Sequence, residues 1–86
     1  MRAIADSACD VAAHYGAKTF YANAAGLVGV RSKGMFLWHV WDSGAGGYVV
    51  ASTTAKRGWD VTQQRCESDV PVPVKTYRKR PRGGTR

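Results

Sequence analysis

Chemistry in this sequence would have to come from Cys9, Cys66, His14, His39 and six carboxylates, so their spacing is the first thing to test. A thiol beside an imidazole makes a nucleophile. Cys9 and His14 fall in a helical pattern, however, where five residues rotate a side chain by about 140°. The two do not share a face, and Cys9 reads as a small buried residue of an apolar helix. His39 lies between Leu37 and Trp41 in a strand pattern. A general base or a ligand-stacking group could stand there, but the ordinary role is a partly buried ring with one hydrogen-bond partner. Together the two cysteines and two histidines match a zinc site in number only, because the short spacing of a structural site is absent. Asp6 and Asp10 stand four apart near a helix start, where the macrodipole favours negative charge. The glycine-rich run 43–47 lacks the lysine of a phosphate-binding loop and leads into a strand pattern. The expectation is a protein that is not an enzyme, with no cofactor and no metal site.

Charge gives a different signal. The net charge is +7, and its distribution is uneven. Residues 75–86 contain Lys75, Arg78, Lys79, Arg80, Arg82 and Arg86 and no acid, whereas residues 1–74 hold seven basic and six acidic residues. The reading is a nearly neutral domain over residues 1–74 and a flexible basic tail over residues 75–86. Arginine forks match phosphate oxygens, and each neutralised phosphate releases counterions. Tyr77 within this segment can stack on an unpaired base. Arg31 and Lys33 at one turn, and Lys56 and Arg57 with Trp59 at another, are a second basic group able to assist the tail. Nucleic acid or a nucleoprotein complex is the expected partner. An acidic protein surface is the electrostatic alternative, and such loops and tails also occur simply as solvated surface.

These groups need a scaffold, and the chain is long enough for one domain only. Its hydrophobic content of 44% fits a folded protein. Ile4, Ala8, Val11, Ala12 and Tyr15 recur at helical spacing, with Ser7 and Asp10 as a capping pair and Gly16 as the stop. A helix start near Ala3 is also compatible with this pattern. Strand patterns follow at Thr19–Tyr21, Leu27–Arg31, Met35–Asp42 and Tyr48–Thr54, the last two joined as a hairpin. In the third of these, Phe36, Trp38 and Val40 alternate with Met35, Leu37, His39 and Trp41, so both faces carry large apolar groups. Residues 60–69 are polar, with a single helical turn at Val61–Cys66 as the candidate element. Val70–Val74 alternates but holds two prolines, which restricts it to an edge strand or a polyproline-like extension, and Lys75–Tyr77 can continue that edge. The expected fold is α+β: an N-terminal helix on a three- or four-stranded antiparallel sheet, with the 35–42 and 48–54 hairpin at its centre.

Two cysteines are too few for a disulfide framework, and one bridge between Cys9 and Cys66 would require an oxidising compartment. Reduced thiols and a cytoplasmic protein are the expectation. The start Met1–Asp6 does not read as a signal peptide, since Asp6 and Asp10 interrupt any apolar run. No apolar run reaches the ~20 residues of a membrane helix, so no membrane partner is expected. The competing function is a compact inhibitor that blocks a functional surface of a protein or nucleoprotein, with Trp41 and Trp59 as contact residues. Small phage-encoded inhibitors such as anti-CRISPR proteins have this general character, although no shared motif links them to this chain.

Overall fold

The computed structural model describes residues 2–53, 60–67 and 69–78. One short helix, α1 (Ala8–His14), precedes six strands: β1 (Thr19–Asn23), β2 (Val28–Ser32), β3 (Met35–Asp42), β4 (Gly47–Thr53), β5 (Val61–Glu67) and β6 (Val70–Tyr77). All six join one antiparallel sheet in the order β4-β3-β2-β1-β5-β6. The fold is α+β and dominated by its sheet.

Local chemistry explains the element boundaries. Ser7 caps α1, its hydroxyl accepting the Asp10 N–H at 3.1 Å. Gly16, at φ +73°, follows the last turn as expected. The helix does not reach back to Ala3, because Ala5 forms an antiparallel bridge to Tyr48 of β4. Ile4 donates to the Tyr48 carbonyl at 2.9 Å, and Tyr48 donates to the Ala5 carbonyl at 2.8 Å. Lys33 and Gly34 both have positive φ, 53° and 79°, and Ser32 pairs with Met35 around them. This is the two-residue turn whose twist suits a hairpin, and glycine supplies one of its left-handed positions without strain.

The sheet has six strands where three or four were expected, and the β3–β4 hairpin forms one side of it instead of its centre. The reason lies in residues 60–69. Val61–Glu67 is not a helical turn but β5, paired with β1 from Thr19↔Arg65 to Asn23↔Val61. Thr62, Gln64 and Cys66 alternate with Val61, Gln63 and Arg65, so the strand lacks the apolar alternation that reveals a half-buried strand in sequence. Backbone pairing with β1 holds it in place.

β6 is the edge strand its prolines demand. Cys66 donates its N–H to the Lys18 carbonyl, so the backbone of Cys66 faces β1 and that of its partner Pro71 faces away from β5. Gln64 and Pro73 repeat this arrangement two residues on. Both prolines therefore stand where a missing donor costs the ladder nothing and leaves the outer edge poorer in N–H groups. The strand continues through Tyr77, so Lys75–Tyr77 belongs to the sheet.

Two apolar clusters flank the sheet. On the helix side Cys9, Val11, Ala12, Phe20, Val28 and Val30 are buried together, with Tyr15, Ala22, Tyr48 and Cys66 packed against them. A disulfide joins Cys9 on α1 to Cys66 on β5, with Cα atoms 5.6 Å apart. This replaces the expectation of reduced thiols: helix and strand meet across the core, so two cysteines remote in sequence become neighbours. On the other face Tyr21, Trp38 and Val61 are buried, with Leu27, Phe36 and Tyr77 around them.

His39 belongs to the helix-side face and is fully buried. The Tyr15 hydroxyl lies 2.7 Å from Nε2, and Nδ1 lies 3.0 Å from the Val28 carbonyl. A neutral ring satisfies both contacts when Nδ1–H donates to Val28 and Nε2 accepts from Tyr15. Its role is structural, with two partners where the sequence suggested one. Desolvation holds the His39 pKa below its ordinary 6.5, outweighing the backbone hydrogen bonds that would raise it. The unfolded chain thus binds a proton more readily than the folded one. Stability from this residue is complete above about pH 6.5 and falls as pH drops below that value, by at most about 1.4 kcal/mol per pH unit. Urea midpoints at pH 7.5 and 5.5 should show the loss. A His39→Gln variant with an undiminished pH dependence would assign it to other groups.

Candidate nucleic-acid interface

The sheet face opposite α1 gathers three of the predicted site residues. A single cross-strand row runs Trp38, Gly29, Tyr21, Gln63 and Lys75 across β3, β2, β1, β5 and β6. Beside it Arg31 pairs with Phe36, and Tyr77 pairs with Val61. Alternation along each strand puts these residues on one face. Arg31 and Lys75 are exposed, and Phe36 and Tyr77 are half-buried.

Aromatic rings occupy the middle of this face. Phe36 stacks on Trp38 with centroids 5.1 Å apart, and Tyr21 lies 5.0 Å from Phe36 and 6.2 Å from Tyr77. Gly29 makes the cluster possible. A Cβ at this position would collide with Phe36 and lie 2.8 Å from the Trp38 ring. A glycine inside a strand here marks a close approach of rings to backbone.

Charge surrounds the rings. Lys75 Nζ lies 5.7 Å from the centre of the Tyr77 ring, a cation–π distance. The Tyr77 hydroxyl donates to Gln63 Oε1 at 3.4 Å, a long contact. Burial raises the Tyr21 pKa, the neighbouring Tyr77 raises it further, and Arg31 opposes both. Arg31 and Tyr77 therefore sit within electrostatic range of the Tyr21 phenol. The Glu67 carboxylate, which alternation puts on this face, is 3.1 Å from Arg65 in an exposed pair.

Other predicted residues are placed elsewhere. Lys33 is exposed in the β2–β3 turn, and β4 ends at Thr53, opposite Leu37, at that same end of the sheet. Arg78 lines an open cleft on the helix-side face with Asn23, Asp60, Thr62, Gln64 and Thr76, of about 460 Å³. Trp41 is 49% exposed and packs edge-on against Tyr48 at 5.3 Å, on the helix-side face. Lys56, Arg57, Trp59, Lys79, Arg80, Arg82 and Arg86 lie outside the described residues.

Sequence reasoning missed Tyr21, Phe36 and Gln63 as parts of this face. Their signal was the Lys33–Gly34 turn, which sets Phe36 opposite Arg31 once the two-residue hairpin is assumed. The link from Tyr21 to Lys75 had no such signal, because it passes through β5. Among the described residues, no group of three or more His, Cys, Asp or Glu side chains could hold a metal ion, and no helix is long and apolar enough to cross a membrane. No family model matches this chain, and comparison with curated proteins and with solved structures found no match for it.

Proposed function

We propose that this domain is a non-enzymatic binding module that contacts nucleic acid, free or in a ribonucleoprotein, through its basic sheet face and basic C-terminal segment. The observation that carries this reading is the convergence of Arg31, Lys75 and Tyr77 on one face, with aromatic rings between the cations. Guanidinium and ammonium groups neutralise phosphates, and the flanking rings offer apolar surface at the same level. Cations of the terminal segment add sequence-independent attraction.

Ending the chain after Arg78 tests the tail while keeping β6 whole. Lys79, Arg80, Arg82 and Arg86 are then removed. The slope of log affinity against log salt should fall by up to about 3 for a single strand, at roughly 0.7 per phosphate contact. An unchanged slope and affinity would remove the tail from the reading.

A second reading rests on a separate surface. Trp41 on β3 and Val50 on β4 share the helix-side face with Tyr48 and are exposed, at 49% and 44%. A half-exposed tryptophan among apolar neighbours is the residue type found at protein-interface hot spots, which supports an inhibitor-like protein contact there. The Cys9–Cys66 bridge bears on location: it supports an oxidising setting for the folded domain over the cytoplasm.

A further inference from the structure

We infer that the sheet face opposite α1 selects single-stranded over double-stranded nucleic acid, by stacking unpaired bases on Tyr77 and Phe36. This rests on the nucleic-acid reading above and narrows it. Phosphate contacts alone would serve either form, because they carry no information about the bases. The rings change that. Phe36 and Tyr77 are half-buried and keep solvent-accessible surface, while the buried Tyr21 and Trp38 contact them from within the cluster. A duplex keeps its bases stacked on one another, whereas a single strand presents free π-faces.

The cations sit where the backbone of such a strand would run. Arg31 flanks Phe36 on β2, and Lys75 lies against Tyr77 on β6. They border the ring cluster on two sides, separated by β1 and β5. Lys75 is exposed, so its ammonium can move off the ring toward a phosphate as a base takes its place. Of the carboxylates that alternation puts on this face, Glu67 is paired with Arg65, and Asp42 at the far end of β3 accepts the Gly44 N–H. A polyanion therefore meets positive charge beside aromatic surface, which is the pairing of features used in single-strand binding.

The test compares full-chain affinity, at one salt concentration, for oligothymidylate, oligouridylate, an abasic strand of equal phosphate number and a DNA duplex. Either base-bearing strand should bind about tenfold more tightly than the abasic strand, and more tightly than the duplex, as expected for loss of base stacking. Thymidylate against uridylate distinguishes DNA from RNA as the source of the strand. A Tyr77→Leu variant should lower affinity for the base-bearing strands about tenfold and leave the abasic strand unaffected. The abasic comparison needs no variant, so it stands even if that chain folds poorly. Equal binding of base-bearing and abasic strands overturns the stacking inference and leaves phosphate binding intact. Absence of binding to all four probes overturns both, and favours a protein partner.

Discussion

Reducing the Cys9–Cys66 bridge should lower the stability of this domain by about 4 kcal/mol. The bridge spans a sequence separation of 57, and a cross-link of that length removes much of the freedom of the unfolded chain. It also ties α1 to the sheet. A seven-residue helix is too short to persist alone in water, so its place depends on packing and on this link. A domain of this size has a total stability of roughly 4–13 kcal/mol. Loss of the bridge thus removes at least about 30% of it. The urea midpoint should fall sharply on adding a reductant, and a Cys9→Ala/Cys66→Ala chain should behave like the reduced protein. Thiol titration of the native protein should find no free cysteine. An oxidised and a reduced protein with the same midpoint would contradict this role for the bridge.

Trp38→Ala should be the most damaging single change outside the bridge, at about 4 kcal/mol. Trp38 is fully buried, stacks on Phe36 and lies over Gly29. Removing the indole opens a cavity beneath Phe36, and a strand pinned between β2 and β4 can relax only in part. Trp41→Ala is the internal comparison. Trp41 is 49% exposed, so the same substitution three residues away should cost under about 1 kcal/mol. Denaturant midpoints of the two variants decide the matter. Similar losses would mean that the aromatic cluster is not the second core.

The contrast between these tryptophans shows how much of the fold the sequence made legible. Alternation along Met35–Asp42 separated Phe36 and Trp38 from His39 and Trp41, and the structure keeps that separation despite a register shift between Trp38 and His39. Helix capping at Ser7, the stop at Gly16 and the Lys33–Gly34 turn were legible because each depends on a few adjacent residues. The proline-bearing edge strand was legible for the same reason. β5 was not, since Thr62, Gln63, Gln64 and Arg65 carry no apolar alternation and the strand is specified by its neighbour. Missing β5 hid two further relations. It separated Cys66 from Cys9, and it separated Lys75 and Tyr77 from Tyr21 and Arg31.

The candidate face was accordingly visible only as scattered parts. Lys75, Tyr77 and Arg31 stood out by type, but their common face follows from the pairings of β1 with β5 and β5 with β6. Near-neutrality of residues 1–74 argued against a broad basic surface. The cations here are few and placed at the borders of an aromatic patch.

That placement is tested most directly by the salt dependence of binding in a full-length Arg31→Gln/Lys75→Gln chain. Both residues are exposed, so the fold should be unaffected. The two lost phosphate contacts should reduce the slope of log affinity against log salt for a single strand by about 1.4 and weaken binding at low salt. A double variant that keeps the slope and affinity of the unaltered chain would show that the sheet face does not touch nucleic acid.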